Sequence, residues 1–160
     1  ITRGIGAIMQ GSQDTIVLGN LNSKRDWGHA KDYVKAMWLM LNVNEPEDYV
    51  ISTDETHEIR EFCQVAWRKV GVELQFQGEG VNEIGVASQI SDFHLQTFGE
   101  KSISAGRVLI KVSPDFYRPL EVDHLVGNSS KARNKLGWKP DYGFEQLVEE
   151  MVASDVFSHK

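Results

Sequence analysis

The chain has 160 residues, 41% hydrophobic and 25% charged, which is the composition of one ordinary globular domain. Its net charge of -6, with no cluster of Lys and Arg, argues against a nucleic-acid surface. No run approaches the roughly 18 apolar residues needed to span a bilayer, and no secretory pattern opens the chain. We therefore expect no nucleic acid or membrane partner and a cytoplasmic location.

The first nine residues, Ile1 to Met9, read as the middle of an apolar helix, and they begin without a methionine, so the chain is expected to be a fragment. Thr15-Ile16-Val17-Leu18 is a short strand that ends at Gly19-Asn20. A loop with Lys24, Arg25 and Asp26 leads to a helix whose apolar positions are Ala30, Tyr33, Val34, Met37, Trp38 and Leu41. Tyr49 to Ser52 is the next strand candidate. Ile59, Phe62, Cys63, Ala66 and Val70 form another helical stripe, with Gly71 placed as a left-handed cap. Glu73 to Phe76 alternates as a strand does, Gly78, Gly80 and Gly85 punctuate a loop, and the stretch from Ala87 to Arg107, without consistent period, reads as a long surface loop.

Val108 to Val112 is a strand, followed by the turn Ser113-Pro114-Asp115. Asn128 or Ser129 caps a short helix through Leu136, closed by Gly137, and a last helix shows Phe144, Leu147, Val148, Met151 and Val152 on one face. Helices and strands alternate in an α/β fashion, with too few strong strands for a complete doubly wound sheet.

The one cysteine, Cys63, has no internal partner and is expected to be a buried thiol, and His29, His57, His94, His124 and His159 lack metal-ligand spacing, so no metal is expected. Gly4-Ile5-Gly6 has no preceding strand and Met9 in the third-glycine place, and Gly78-Glu79-Gly80 fails with Glu83. A lysine four residues after a tyrosine is missing as well, because Met37, Thr53, Glu121 and Gln146 follow Tyr33, Tyr49, Tyr117 and Tyr142 at that distance. No catalytic or cofactor-binding residue is therefore assigned. Two arginines have settings suited to phosphate. Arg25 precedes a helix whose start offers free amides, a setting that serves either as a surface cap or as an anion site. Arg118 is stiffened by Pro119 and carries a fork that takes two oxygens at once, and Glu121 could accept hydrogen bonds from a vicinal diol.

The run from Leu18 through Gly19-Asn20, Arg25-Asp26-Trp27-Gly28-His29-Ala30-Lys31-Asp32-Tyr33 to Val34 resembles the GDP-mannose 4,6-dehydratases of the extended short-chain dehydrogenase family. Further matching pieces follow in order: Glu45 to Val50, Arg60-Glu61-Phe62, Tyr117 to Asp123, Leu136 to Pro140 and Leu147 to Val152. The resemblance implies an α/β fold that is the carboxy-terminal, substrate-binding part of an extended short-chain dehydrogenase, forming one unit over residues 1–160. Only the last Rossmann elements would be present, a helix at about 29–43 and a strand at about 48–52. It implies a full-length parent that uses NADP to convert GDP-mannose to GDP-4-keto-6-deoxymannose in GDP-fucose biosynthesis, as a homo-oligomer. This chain would bind the GDP-sugar, without NADP and without catalysis. Arg25 and Arg118 would hold the diphosphate, Tyr117 and Glu121 the sugar-phosphate portion, and the Leu18-Gly19-Asn20 backbone would lie by the guanine. A stand-alone nucleotide-sugar-binding or regulatory module, or part of a related reductase, epimerase or decarboxylase, is the alternative.

Overall fold

The computed structural model describes residues 1–99, 102–118, 122 and 124–157. In chain order they form α1 (Thr2–Met9), β1 (Ile16–Leu18), β2 (Lys24–Arg25), α2 (Ala30–Leu41), β3 (His57–Glu58), α3 (Ile59–Lys69) and β4 (Val72–Gln77). There follow β5 (Ile84–Ile90), α4 (Asp92–Phe98), β6 (Val108–Val112), β7 (His124–Leu125), α5 (Ser130–Leu136) and α6 (Phe144–Val152), which runs on into a π-helical turn, Ala153–Phe157.

Two mixed sheets result. The larger has the order β1-β6-β5-β4, with β1 and β6 parallel and the other pairs antiparallel. The smaller is β3-β2-β7. The main core gathers Ile5 and Ile8 of α1, Phe62, Cys63, Ala66 and Trp67 of α3, Leu109 and Ile110 of β6, and Val148 and Val152 of α6. Burial pushes the Cys63 thiol up to about 12, so it stays protonated at neutral pH and acts as a small apolar side chain. The apolar stripe of α1 is thus covered. Gly6 belongs to this packing, because a Cβ there would fall 2.4 Å from the Asp155 carbonyl oxygen.

Three sequence expectations change. First, Ala87 to Arg107 is not a surface loop. β5 continues to Ile90, α4 follows, and Ile103 joins the core. A register shift between Gly85 and Val86 interrupts strict alternation, and the residue that anchors α4 is a histidine, invisible to an apolar pattern. The Nδ1 of His94 donates to the Val70 carbonyl at 2.7 Å and its Nε2 pairs with Ser102 Oγ at 2.8 Å. Gly85 likewise lies in β5, not in a loop. Second, residues 48–52 are extended without a ladder, because no described strand lies alongside them. Third, α2 buries the face opposite to the one its stripe suggested. Asp32 and Ala36 are inside, with Leu39 and Met40 against Trp138 and Ala132, whereas Val34, Met37, Trp38 and Leu41 are exposed, Leu41 to 84%.

A clasp joins the segment after α2 to α5. Glu47 receives both Lys131 and Lys135, whose hydrogen bonds pull its carboxyl from 4.5 down to about 2. A carboxyl depressed in the folded state stabilises fully above its unfolded value, and that contribution fades as pH falls from 4.5 through about 2. We expect Glu47→Gln to flatten the acid limb of a urea-monitored stability curve in that window and leave it unchanged at neutral pH beyond a uniform offset.

Candidate functional site

The parallel pair β1 and β6 ends at Leu18 and Val112, so the loops that leave these strands emerge at the same sheet edge. In α/β sheets that is the edge at which ligands bind, because chain direction changes there and leaves a crevice. The Ser113 amide donates to the Leu18 carbonyl at 2.9 Å, closing the two loops onto each other. Gly19 lies so near the second loop that a Cβ on it would fall 2.2 Å from the Phe116 carbonyl oxygen. The 113–117 turn is held by the Tyr117 amide donating to Ser113 at 3.0 Å and by the Asp115 amide donating to Ser113 Oγ at 3.2 Å. Tyr117 packs half-buried on the core, and Arg118 follows it, exposed. The structure therefore brings Leu18, Gly19 and Asn20 together with the Phe116–Arg118 segment, across almost 100 residues of sequence. Glu121 lies outside the described residues.

Sequence reasoning missed Arg60, which stands in a matching tripeptide but was given no role. It opens α3 beside the first loop, and its amide donates to the Leu21 carbonyl at 3.0 Å. Its Nη1 pairs with Glu83 Oε1, and its Nη2 donates to Glu83 Oε2 at 3.1 Å and to Asn22 Oδ1 at 2.6 Å. The guanidinium also lies over the Phe76 ring at 4.7 Å. These bonds occupy three of the five N–H donors that a guanidinium carries, leaving Nε–H and one Nη1–H. A buried glutamate three residues after the glycine pair, Glu83, was the available signal, since such a group needs a cation nearby.

Arg25 sits elsewhere than expected. It belongs to β2 rather than to the entrance of α2, and its Nη1 donates to the carbonyls of Lys24 and Val122 at 2.7 and 2.9 Å. The start of α2 is closed by His29, whose Nδ1 accepts the Lys31 amide at 3.1 Å, so the amides expected to share an anion with Arg25 are partly spent. Arg25 lines an open groove of about 400 Å³ with Asp26, Tyr33, Ser52, Leu125 and Gly127. Burial, then the carboxylates of Asp26 and Asp32, raise the Tyr33 hydroxyl pKa, which keeps it a neutral donor. Its link to the other candidate residues runs through Val122, in the segment that continues from Arg118.

A model of the family described as GDP-mannose 4,6 dehydratase matches residues 1–151. The GDP-mannose 4,6-dehydratase of Yersinia enterocolitica is 44% identical over 156 residues, covering 98% of this chain and 41% of that protein. The human GDP-mannose 4,6 dehydratase is 44% identical, with 98% and 38% covered, and the enzyme named GDP-mannose 4,6 dehydratase 2 of Caenorhabditis elegans is 45% identical, with 98% and 37% covered. The chain thus spans about two fifths of the length of the curated relatives it matches, in their carboxy-terminal portion. Among solved structures, RMD of Pseudomonas aeruginosa complexed with NADPH superposes with a TM-score of 0.64 at 17% identity, covering 95% of this chain and 39% of that one. The dTDP-glucose 4,6-dehydratase of Bacillus anthracis in complex with NAD gives 0.58 at 18% identity, covering 93% and 36%. These likenesses give the fold, the carboxy-terminal part of an extended short-chain dehydrogenase.

Proposed function

This chain belongs to the GDP-mannose 4,6-dehydratase family, and we propose on that premise that it is the GDP-sugar-binding portion of an enzyme that converts GDP-mannose to GDP-4-keto-6-deoxymannose. The observation that carries this reading is the closure of the Leu18–Asn20 loop onto the 113–118 segment at the carboxyl ends of β1 and β6. A nucleotide lying in that crevice would have the Leu18-Gly19-Asn20 backbone by its guanine and the Arg118 fork on its diphosphate. Tyr117 and Glu121 would meet its sugar-phosphate part.

Arg60 supplies a second guanidinium with donors to spare, and Arg25 holds the far end of the Arg118 segment through the Val122 carbonyl. Binding energy collected at the nucleotide positions the hexose for reaction; it does not move protons. The nicotinamide cofactor, which we take as NADP, and the proton-transferring residues belong in this proposal to the rest of the parent enzyme, a cytoplasmic homo-oligomer in the route to GDP-fucose. The helix at 30–41 and the extended residues 48–52 would complete that part's Rossmann layer, with the outward face of α2 covered by it. No described helix is long and apolar enough to cross a membrane.

Isothermal titration of the chain with GDP, GDP-mannose and UDP tests the proposal. The expected result is binding of both guanine ligands, a weaker response to UDP, and no turnover of GDP-mannose with NADP. Arg118→Ala is expected to weaken GDP binding about tenfold, the effect of one charge-assisted phosphate contact, with little change in melting temperature because the side chain is exposed. A preference for UDP would move the chain to a related reductase or epimerase.

A further inference from the structure

We infer that Glu83 is a positioning residue of the nucleotide site, setting both of its loops from a single buried point; this rests on the nucleotide reading above. Glu83 is 7% exposed and stands where the turn after β4 enters β5. Its carboxylate takes both Nη atoms of Arg60, one of which also holds Asn22 Oδ1. Asn22 belongs to the first loop and is fastened at its other end by its amide donating to Asn20 Oδ1 at 3.0 Å. The route from Glu83 to Asn20 therefore runs through two guanidinium bonds and one side-chain turn.

The backbone of the same residue serves the second loop. The Glu83 carbonyl accepts the Val112 amide at 3.1 Å, and the next residue, Ser113, donates to Leu18. Glu83 is thus one residue with its charge tied to the first loop and its carbonyl tied to the second.

A buried carboxylate is retained at a fold's surface edge only when a partner compensates it, and here the partner is a guanidinium that keeps unused donors beside the candidate nucleotide loop. Fixing Arg60 from behind orients those donors without occupying them. A side chain held by two charge-assisted bonds loses little freedom when a ligand arrives, which is how a supporting residue raises affinity without touching the ligand.

The test uses the whole chain, GDP as probe, and two readouts, dissociation constant and melting temperature. Glu83→Gln keeps shape and removes charge, and Asn22→Ala cuts the same route at an exposed residue that is not part of the core. Each is expected to weaken GDP binding roughly tenfold, and the double variant no more than either single, because both act along one route. Asn22→Asp in the Glu83→Gln background returns a carboxylate to Arg60 and is expected to recover part of the affinity, which a purely structural role for Glu83 would not produce. Asn22→Ala also decides the matter if Glu83→Gln does not fold. GDP binding equal to wild type in Asn22→Ala and Glu83→Gln, or fully additive losses, overturns the inference while leaving the nucleotide reading intact. Absence of GDP binding by the wild-type chain overturns that reading and this inference with it.

Discussion

Asp32→Ala is expected to destabilise the chain by about 3 kcal/mol, seen as a fall in the urea midpoint without change in slope. Asp32 is only 2% exposed and lies in the first turn of α2. Its two carboxylate oxygens accept the amides of Asp141 and Tyr142 at 3.0 and 3.2 Å, and its carbonyl accepts the Trp138 indole N–H at 2.9 Å. Hydrogen bonds to a charged acceptor are worth about 1.5–3 kcal/mol each, and truncation would leave both amides to whatever water can reach a part-buried loop. Asp32→Asn retains one good acceptor and about half the stability. An Asp32→Ala variant within about 0.5 kcal/mol of wild type, the range of ordinary surface changes, would defeat this account.

The expected effect of Asp32 alters the meaning of the run Arg25 to Tyr33. Most of its members hold the fold. Asp26 accepts the amides of Thr53 and Asp54 at 3.0 and 3.1 Å, Trp27 stacks on Phe144 at 5.8 Å, and His29 caps α2 while its Nε2 meets Glu150 at 3.0 Å. Gly28 leaves room for the Tyr33 ring, which a Cβ would approach to 2.4 Å. The run is so specific because each side chain answers a different distant segment, and a substitution at any of them leaves a partner unsatisfied.

The same fact explains what the sequence conceals. The helices α1, α3, α5 and α6 were legible because their apolar spacing or caps are local: Gly71 and Gly137 adopt φ of 77° and 63° as the caps require, and Asn128 Oδ1 accepts the Ser130 amide. The four strands of the larger sheet were legible in part, with the second half of β5 lost to its bulge. The buried face of α2 was not, because Asp32 earns its place inside through hydrogen bonds rather than hydrophobicity. The pairing of Arg60 with Glu83 was hidden for a related reason: the two are 23 residues apart and meet only once α3 and β5 have been laid against the same sheet. Candidate residues carried by one loop, such as Leu18 to Asn20, were placed correctly by motif alone, whereas the position of Arg25 depended on a three-strand pairing of two-residue strands that no periodicity announces.

Gly19→Ala should cost about 3 kcal/mol and lower GDP affinity by at least about tenfold, the upper range for overpacking, because neither colliding atom can escape by changing rotamer. The added Cβ would lie 2.2 Å from the Phe116 carbonyl oxygen and 2.9 Å from its carbon, both backbone atoms of the turn that leads to Arg118. The 113–117 turn must then withdraw, and its Ser113 bond to Leu18 draws β1 with it. Gly11→Ala provides the contrast. Gly11 has φ of 72° with nothing within 4 Å of an added Cβ, so only backbone strain opposes the change, worth about 1 kcal/mol. That variant should melt slightly lower and bind GDP as wild type does. If the Gly19 and Gly11 variants instead lose affinity equally, the two loops do not form one site, and the crevice at the ends of β1 and β6 is not where the nucleotide lies. If only Gly19→Ala loses affinity, close approach of the two backbones is the property on which recognition depends.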